Sequence, residues 1–363
     1  MTKKKIIHLS QDTGGVKTYV AHVLEYVDPT AFEFVVLAPE NSGFQAFCRS
    51  KNVQYFDVDL HRGNNPVKNI LILIKIIGII RKQKPAIIHA HSAKGGFLGR
   101  LAAWVTGTKV IYTPHAFSYL PFTGIKRMIF FFLELLAKKW TNVLLAISYS
   151  EANRAIYELG YSKKYVKVIL NSIPVNEFNS TYEECLNIRM IGRLTSQKNH
   201  FLFLDIAKFL LKKYPDLQFS ILGAGIHDEL SEDIKSYIEA NGLAGKINIQ
   251  HWGESGTSES FLKSAHVFVM TSVFEGLPFS LLEAMSFGIP CVVSKVDGNT
   301  DVIDNWENGF ACLTPEQFAS KIELLINDKT LRKRIGLAGS RYIREFHNLQ
   351  TNVKVLEQLY ADL

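Results

Sequence analysis

The sequence predicts an α/β protein of two doubly wound parallel-sheet domains, and three observations carry that expectation. Short apolar strand-like segments alternate with amphipathic helical segments along the whole chain. The length, 363 residues, fits two domains of about 150 to 200 residues better than one. Residues 266–294 read as a complete strand–helix–strand unit.

Taken in order, the first strand is expected at residues 5–10. Asp12-Thr13-Gly14-Gly15-Val16 then turns into a helix expected from Lys17. Glycines at such a turn let the backbone approach a ligand closely. Further apolar runs at 34–38, 86–90, 110–112 and 143–147 read as buried strands, with helical patterns between them. The run at 110–112 leads into Thr113-Pro114-His115-Ala116-Phe117. Open α/β sheets bind ligands at strand carboxyl ends, so His115 is a candidate site residue, although a lone His in such a loop also fits a structural role. Residues 168–178, VILNSIPVNEF, lead to a polar stretch at 176–184 where the domains are expected to meet.

In the second half, residues 190–199 read MIGRLTSQKN. Arg193 follows a strand end and Lys198 lies on the next turn, so two cations come near one point. Arg grips phosphate oxygens in a bidentate fork and Lys adds a mobile point charge, a combination suited to a diphosphate; two solvated surface cations are the plain alternative. Strands at 219–222 and 247–250 follow.

The segment 266–294 is the most informative. A strand at 266–271 breaks at 272–276, Pro278 suits a first helical position, and a helix runs to about Phe287. Gly288 fits a left-handed cap, Pro290 stops the helix, and 291–294 is the next strand. At about 1.5 Å per residue, Glu283 lies within two turns of the helix start and Glu275 just before it. Amides at Gly276, Leu277 and beside Pro278, with the positive end of the helix dipole, suit a phosphate. Two carboxylates beside an anion suit hydroxyls, and a sugar nucleotide offers both. A solvent-facing Glu283 and a merely capping Glu275 are the alternative.

These motifs resemble the retaining nucleotide-sugar glycosyltransferases of family 4, the glycosyltransferase group 1 enzymes of capsule, exopolysaccharide and O-antigen synthesis. The resemblance covers nearly the full length, and two glutamates separated by seven residues are its mark. It implies the GT-B fold: two facing Rossmann-like domains with a cleft between them, an acceptor-side domain at 1–178, a nucleotide-sugar domain at 179–345, and a final helix at 346–363 returning to the first. It assigns the transferred sugar to Glu275, the ribose to Glu283, and the diphosphate to Arg193 and Lys198. Gly14 and Gly15 would lie near the phosphates, and His115 beside the donor sugar. Thr271 departs from the pattern, which commonly has proline there. Ser172 and Pro174 depart from a frequent glycine and aspartate.

The implied reaction is transfer of a sugar from a nucleotide diphosphate donor, a UDP-sugar first, to a saccharide acceptor that the resemblance makes lipid-linked on a polyprenyl diphosphate. The partners expected are that donor, that acceptor and an anionic membrane surface, with no nucleic acid. No cofactor and no metal are expected. Asp57-Val58-Asp59 fits the metal-binding triplet of a GT-A transferase but lies far in sequence from the phosphate candidates. Leu222-Gly223-Ala224-Gly225 lacks the third glycine of a dinucleotide fingerprint, at Asp228. An epimerase of the same architecture, or a catalytically silent sugar-nucleotide-binding partner protein, is the competing reading.

Charge is uneven. Residues 1–180 hold 23 Lys and Arg against 11 Asp and Glu, a balance of +12, whereas 181–363 hold 18 against 23. Residues 126–140, KRMIFFFLELLAKKW, set apolar side chains between basic ends, as interfacial helices do. The side bearing Phe130, Leu133 and Leu136 is expected inside. Lys126, Arg127, Lys138 and Lys139 would face anionic lipid, each cation contributing about 1 kcal/mol. The apolar run at 70–80 is far shorter than the ~20 residues that span a bilayer. The opening MTKKKIIHLS lacks the apolar core of a signal peptide, and the four cysteines show no disulfide or metal-ligand spacing. A cytoplasmic protein, peripheral at the inner face of the cell membrane, is expected.

Overall fold

The structure is a computed structural model that describes residues 3–11, 14–61, 65–175, 186–224, 229–252 and 258–363. The chain divides into two compact units, residues 1–171 with 349–363, and residues 172–348. The sequence-based boundary at 178/179 falls in 176–185, outside the described residues.

Unit 1 runs β1 (Lys4–Leu9), α1 (Gly14–Tyr26), β2 (Phe32–Ala38), α2 (Ser42–Ser50), β3 (Gln54–Asp57), α3 (Pro66–Gln83), β4 (Ile87–His91), α4 (Ala93–Thr106), β5 (Lys109–Thr113), α5 (Gly124–Ala137), β6 (Val143–Ala146), α6 (Tyr149–Asn153) and β7 (Val166–Val168). Among the described residues its parallel sheet has the order β3-β2-β1-β4-β5-β6-β7. The strands read as unbroken apolar runs because helices cover both faces. Strand order reverses between β1 and β4, where Ile7 pairs with both Val35 and Ile88.

Unit 2 runs β8 (Asn187–Ile191), α7 (His200–Leu211), β9 (Gln218–Ala224), α8 (Ser231–Ala240), β10 (Ile247–His251), α9 (Ser258–Lys263), β11 (Val267–Met270), α10 (Phe279–Ser286), β12 (Cys291–Ser294), β13 (Phe310–Cys312), α11 (Pro315–Asn327) and α12 (Lys329–Phe346). Its parallel order is β10-β9-β8-β11-β12-β13, reversing between β8 and β11. Met190, Phe203, Phe219, Val269, Phe310 and Ile322 fill its core. The final helix, α13 (Leu349–Asp362), belongs to unit 1. It buries Leu349, Val353, Leu356 and Tyr360. Each apolar side chain so buried contributes about 1.5–3 kcal/mol.

Three expectations need correction. Helix α1 starts at Gly14 rather than Lys17, so turn and helix start coincide; Gly14 itself takes a φ of +60°, a left-handed backbone that glycine permits. Pro278 is the cap preceding α10 rather than its first residue; its ψ of 128° is extended. On helix α5, Phe130 packs inward as expected and Leu133 is half-buried, but Leu136 does not face the core. The helix's buried Glu134 pairs with buried Arg100 of α4 at 2.8 Å and accepts hydrogen bonds from Tyr112 and Ser118 at 3.0 and 2.9 Å. That pair fixes the rotation of the helix, so Phe130, Phe131 and Leu135 face inward while Leu136 is 46% exposed.

Candidate active site

In unit 2, two loops meet at the carboxyl ends of β8 and β11, the place where strand order reverses and an open sheet forms a crevice. The loop after β8 carries Arg193 and Lys198, and the loop after β11 carries Glu275 and Gly276. Lys198 Nζ donates to Glu275 Oε1 at 2.6 Å, with the two side chains only 14% and 7% exposed. Gly192 makes this possible: a Cβ there would press on the Lys198 stem at 3.0 Å. Gly223 of β9 is constrained more strictly, since a Cβ would lie 1.8 Å from the Gly192 carbonyl oxygen. Its glycine serves the close approach of this loop and not a dinucleotide; Gly225 and Asp228 lie outside the described residues.

The loops are stitched together by contacts that sequence reasoning missed. Thr271 Oγ1 donates to the carbonyls of Lys198 and Asn199, both at 2.9 Å. Gln197 Nε2 donates to Phe274 O at 3.1 Å, and Val273 N donates to Gln197 O at 2.8 Å. The threonine that departs from the family pattern therefore holds the lysine loop. Leu277 and Pro278 are buried beneath the start of α10, and Glu283 is the fifth residue of that helix. Burial pushes the Glu283 carboxyl up to about 7, opposed by a hydrogen bond to Ser258.

Unit 1 builds a second cluster where its own strand order reverses. Gly14 and Gly15, exposed, form the first turn of α1 after β1; Asp12 and Thr13 lie outside the described residues. His115, half-buried after β5, and Ala116 both take left-handed φ values, +53° and +76°, as does Ser92 after β4 at +61°. Such backbone costs about 1–3 kcal/mol per residue and needs support from its surroundings. Buried Glu151 supplies some of it, accepting from Ala116 N and from Ile147 N at 2.9 Å each. Behind His115 lie buried His91, His8 and His89, and Tyr360 of α13. The sequence carried a signal for two of them: a His-x-His alternation in a buried strand sets both rings on one face. Those three histidines offer ligand atoms within 4.8 Å of one another. Asp59 of the Asp-x-Asp triplet is paired with Lys68 at 2.5 Å beside the edge strand β3.

Residues 176–342 match the family described as glycosyl transferases group 1, and residues 13–177 match glycosyltransferase family 4. The UDP-Gal:alpha-D-GlcNAc-diphosphoundecaprenol alpha-1,3-galactosyltransferase of Escherichia coli is 28% identical, covering 100% of this chain and 98% of the relative. The capsular polysaccharide biosynthesis glycosyltransferase CapM of Staphylococcus aureus is 26% identical, covering 79% and 80%. Among solved structures, Anabaena Alr3699/HepE in complex with UDP-glucose superposes with a TM-score of 0.83 at 17% identity, covering 99% and 100%.

Proposed function

Because the chain belongs to the group 1, family 4 glycosyltransferases of GT-B fold, whose relatives act in capsule and O-antigen polysaccharide synthesis, we propose that it transfers a sugar from a UDP-sugar to a lipid-linked saccharide with retention of configuration. The observation that carries this reading is the Lys198–Glu275 pair at the reversal of strand order in unit 2, beside Arg193 and the start of α10. A donor diphosphate is the ligand that such a cationic loop and helix start suit. Glu275 would accept hydroxyls of the transferred sugar and Glu283 those of the ribose. UDP is favoured because the galactosyltransferase relative and the Anabaena structure are both named with it. The same relative is named for a diphosphoundecaprenol-linked acceptor, which supports a polyprenyl-diphosphate saccharide here.

In the proposed step, the bond from C1 to the phosphate oxygen breaks with its electron pair going to the diphosphate. Arg193, Lys198 and the amides at Gly276 stabilise that charge. The acceptor oxygen bonds C1 on the same face, and its proton passes to the departing phosphate oxygen. No protein base is required, and no metal is needed where two cations neutralise the leaving group. The family resemblance is what gives His115 a role beside the donor sugar and Gly14 and Gly15 a role near its phosphates. Activity that disappears in EDTA and returns with manganese would contradict the metal-free step.

Peripheral membrane binding through unit 1 is part of the proposal. Helix α3 exposes Val67, Ile70, Leu71 and Ile74, and α5 exposes Ile125, Met128, Ile129, Phe132 and Leu136, both at helical spacing. Lys68 and Lys75, and Lys126, Arg127 and Lys139, are interleaved with these stripes. Apolar side chains set among cations suit an anionic lipid surface. Among the described residues no helix is long and apolar enough to cross a membrane. Flotation with vesicles containing phosphatidylglycerol, but not with neutral ones, is the expected result.

The function is tested by offering UDP-, GDP- and ADP-sugars with and without polyprenyl-diphosphate saccharides while following nucleotide release and labelled lipid product. Acceptor-dependent release from a UDP-sugar is expected; binding without release over a broad acceptor set would instead support a silent partner.

A further inference from the structure

The buried cluster behind His115 is one continuous hydrogen-bonded chain. His115 Nε2 meets His91 Nδ1 at 3.1 Å, and His91 Nε2 meets His8 Nδ1 at 3.0 Å. His8 Nε2 meets Tyr360 Oη at 3.5 Å, the longest link. Tyr360 Oη meets His89 Nδ1 at 2.7 Å, and His89 Nε2 meets Thr113 Oγ1 at 2.8 Å. All these residues belong to unit 1. Parallel pairing sets His8 beside His89 and His91 beside Thr113, so the sheet register itself aligns the rings.

The protons in such a chain are not independent. A neutral imidazole donates from one nitrogen and accepts at the other. Burial holds His8 and His115 down to about 3 and His89 and His91 well below the ordinary value, so all four are neutral near pH 7. If His115 donates from Nε2, every ring in turn carries its proton on Nε2 and the chain ends at Thr113 as acceptor. If Thr113 donates, every ring carries its proton on Nδ1, and His115 presents an N–H at its outer nitrogen. Each form keeps one proton per link and no net charge.

We propose that His8, His89, His91 and Tyr360 are positioning residues for His115, coupling the four rings into one shared tautomer so that the group His115 presents at Nδ1 is set at the far end of the chain, by Tyr360 and Thr113. The proposal deepens the reading of His115 as a group beside the reacting sugar and rests on it. A metal at His8, His89 and His91 fits less well. The Nδ1–Nε2 separation of 3.0 Å between His8 and His91 is short for two ligands of one ion, which lie about 3.4 Å apart at ordinary zinc–nitrogen lengths. Each ring nitrogen of the three also has a partner within the chain.

The test is ¹⁵N NMR of the full-length protein labelled at histidine, without substrate, at pH 7. Four neutral rings sharing one tautomer are expected, and mixed tautomers would overturn the proposal. Tyr360→Phe should shift the His115 ring nitrogens although it does not touch that ring, and should lower kcat about 5- to 10-fold with donor KM nearly unchanged. Unmoved His115 signals would overturn it. Thr113→Val, which keeps the side-chain shape, guards against misfolding of the first variant. It removes the hydroxyl at the chain end, and a bare ring nitrogen is tolerated there better than an unpaired N–H, so all four rings should move to the Nδ1–H form. Stoichiometric zinc in the purified protein, lost in His89→Gln, would also overturn the chain. If the NMR results hold while His115→Ala leaves transfer intact, the coupling stands and the assigned role of His115 fails.

Discussion

The two units bury polar groups at the same point of their sheets and do so in opposite ways. Unit 2 places a charged pair, Lys198 with Glu275, on loops beyond β8 and β11. Unit 1 places neutral imidazoles within the strands themselves, at His8, His89 and His91, and adds His115 on the loop after β5. A charged pair can release its lysine to an incoming phosphate when hydroxyl donors of the same ligand take the lysine's place at the carboxylate. A chain of neutral rings cannot attract an anion, but it can hold one ring in a fixed orientation. In the proposed reaction the first cluster would bind the leaving group and the second would orient a group beside the sugar, so mutations in the two should read out differently.

The largest effect is expected from unit 2. Arg193→Ala and Lys198→Ala should each lower kcat by about 10²- to 10³-fold, comparable to losing one preorganised donor to a developing charge. Lys198→Ala should also lower stability, since it strands Glu275, which is nearly buried; breaking such a pair costs about 3–5 kcal/mol where burial is complete. Near-normal kinetics in both variants would remove the site. His115→Ala comes next: transfer should fall by about 10²-fold while UDP affinity measured by calorimetry stays within about twofold. Equal loss of both would make the two clusters alike.

Glu283 gives a smaller effect with a defined pH dependence. Its folded pKa, pushed up to about 7, lies above the ordinary 4.5, so the fold favours the protonated form. Its contribution to stability is full below about pH 4.5 and is lost as pH rises through about 7. In its proposed role the Glu283 carboxylate accepts ribose hydroxyls more strongly than the neutral acid does, so UDP affinity should weaken as pH falls from 8 to 6. Glu283→Gln should bind UDP about 10-fold more weakly at pH 8, and its affinity should be flat over that range. The smallest change is expected for Thr271→Val, which deletes the hydroxyl shared between two carbonyls and should lower stability by about 1 kcal/mol, with a modest loss of kcat as the Lys198 loop loosens.

The same contrast explains what could be read in advance. The meeting of unit 2's candidate residues Lys198 and Glu275 was legible because they sit within two short segments, 190–199 and 267–294, at the ends of neighbouring strands. Parallel strands and Gly288, left-handed at φ +66°, followed from capping and helix rules too. Beyond His115 and the His89-x-His91 alternation of β4, unit 1's cluster was not legible, because its members come from β1, β4, β5 and α13 and meet only through sheet register and the return of the last helix. Tyr360 lies 271 residues from its partner His89, and no local pattern links them. On α5 only Leu136 was misjudged, for a related reason: a buried Arg100–Glu134 pair shifts the inner face of the helix away from it. Thr271 looked like a departure, and only its contacts gave it a role.

The measurement closest to the central claim is ¹H NMR of the lipid-linked product made from an α-configured UDP-sugar by the wild-type protein. An α linkage, with acceptor-dependent release of UDP, is the result this account requires. A β linkage would contradict same-face transfer and with it the roles assigned to Lys198 and Glu275.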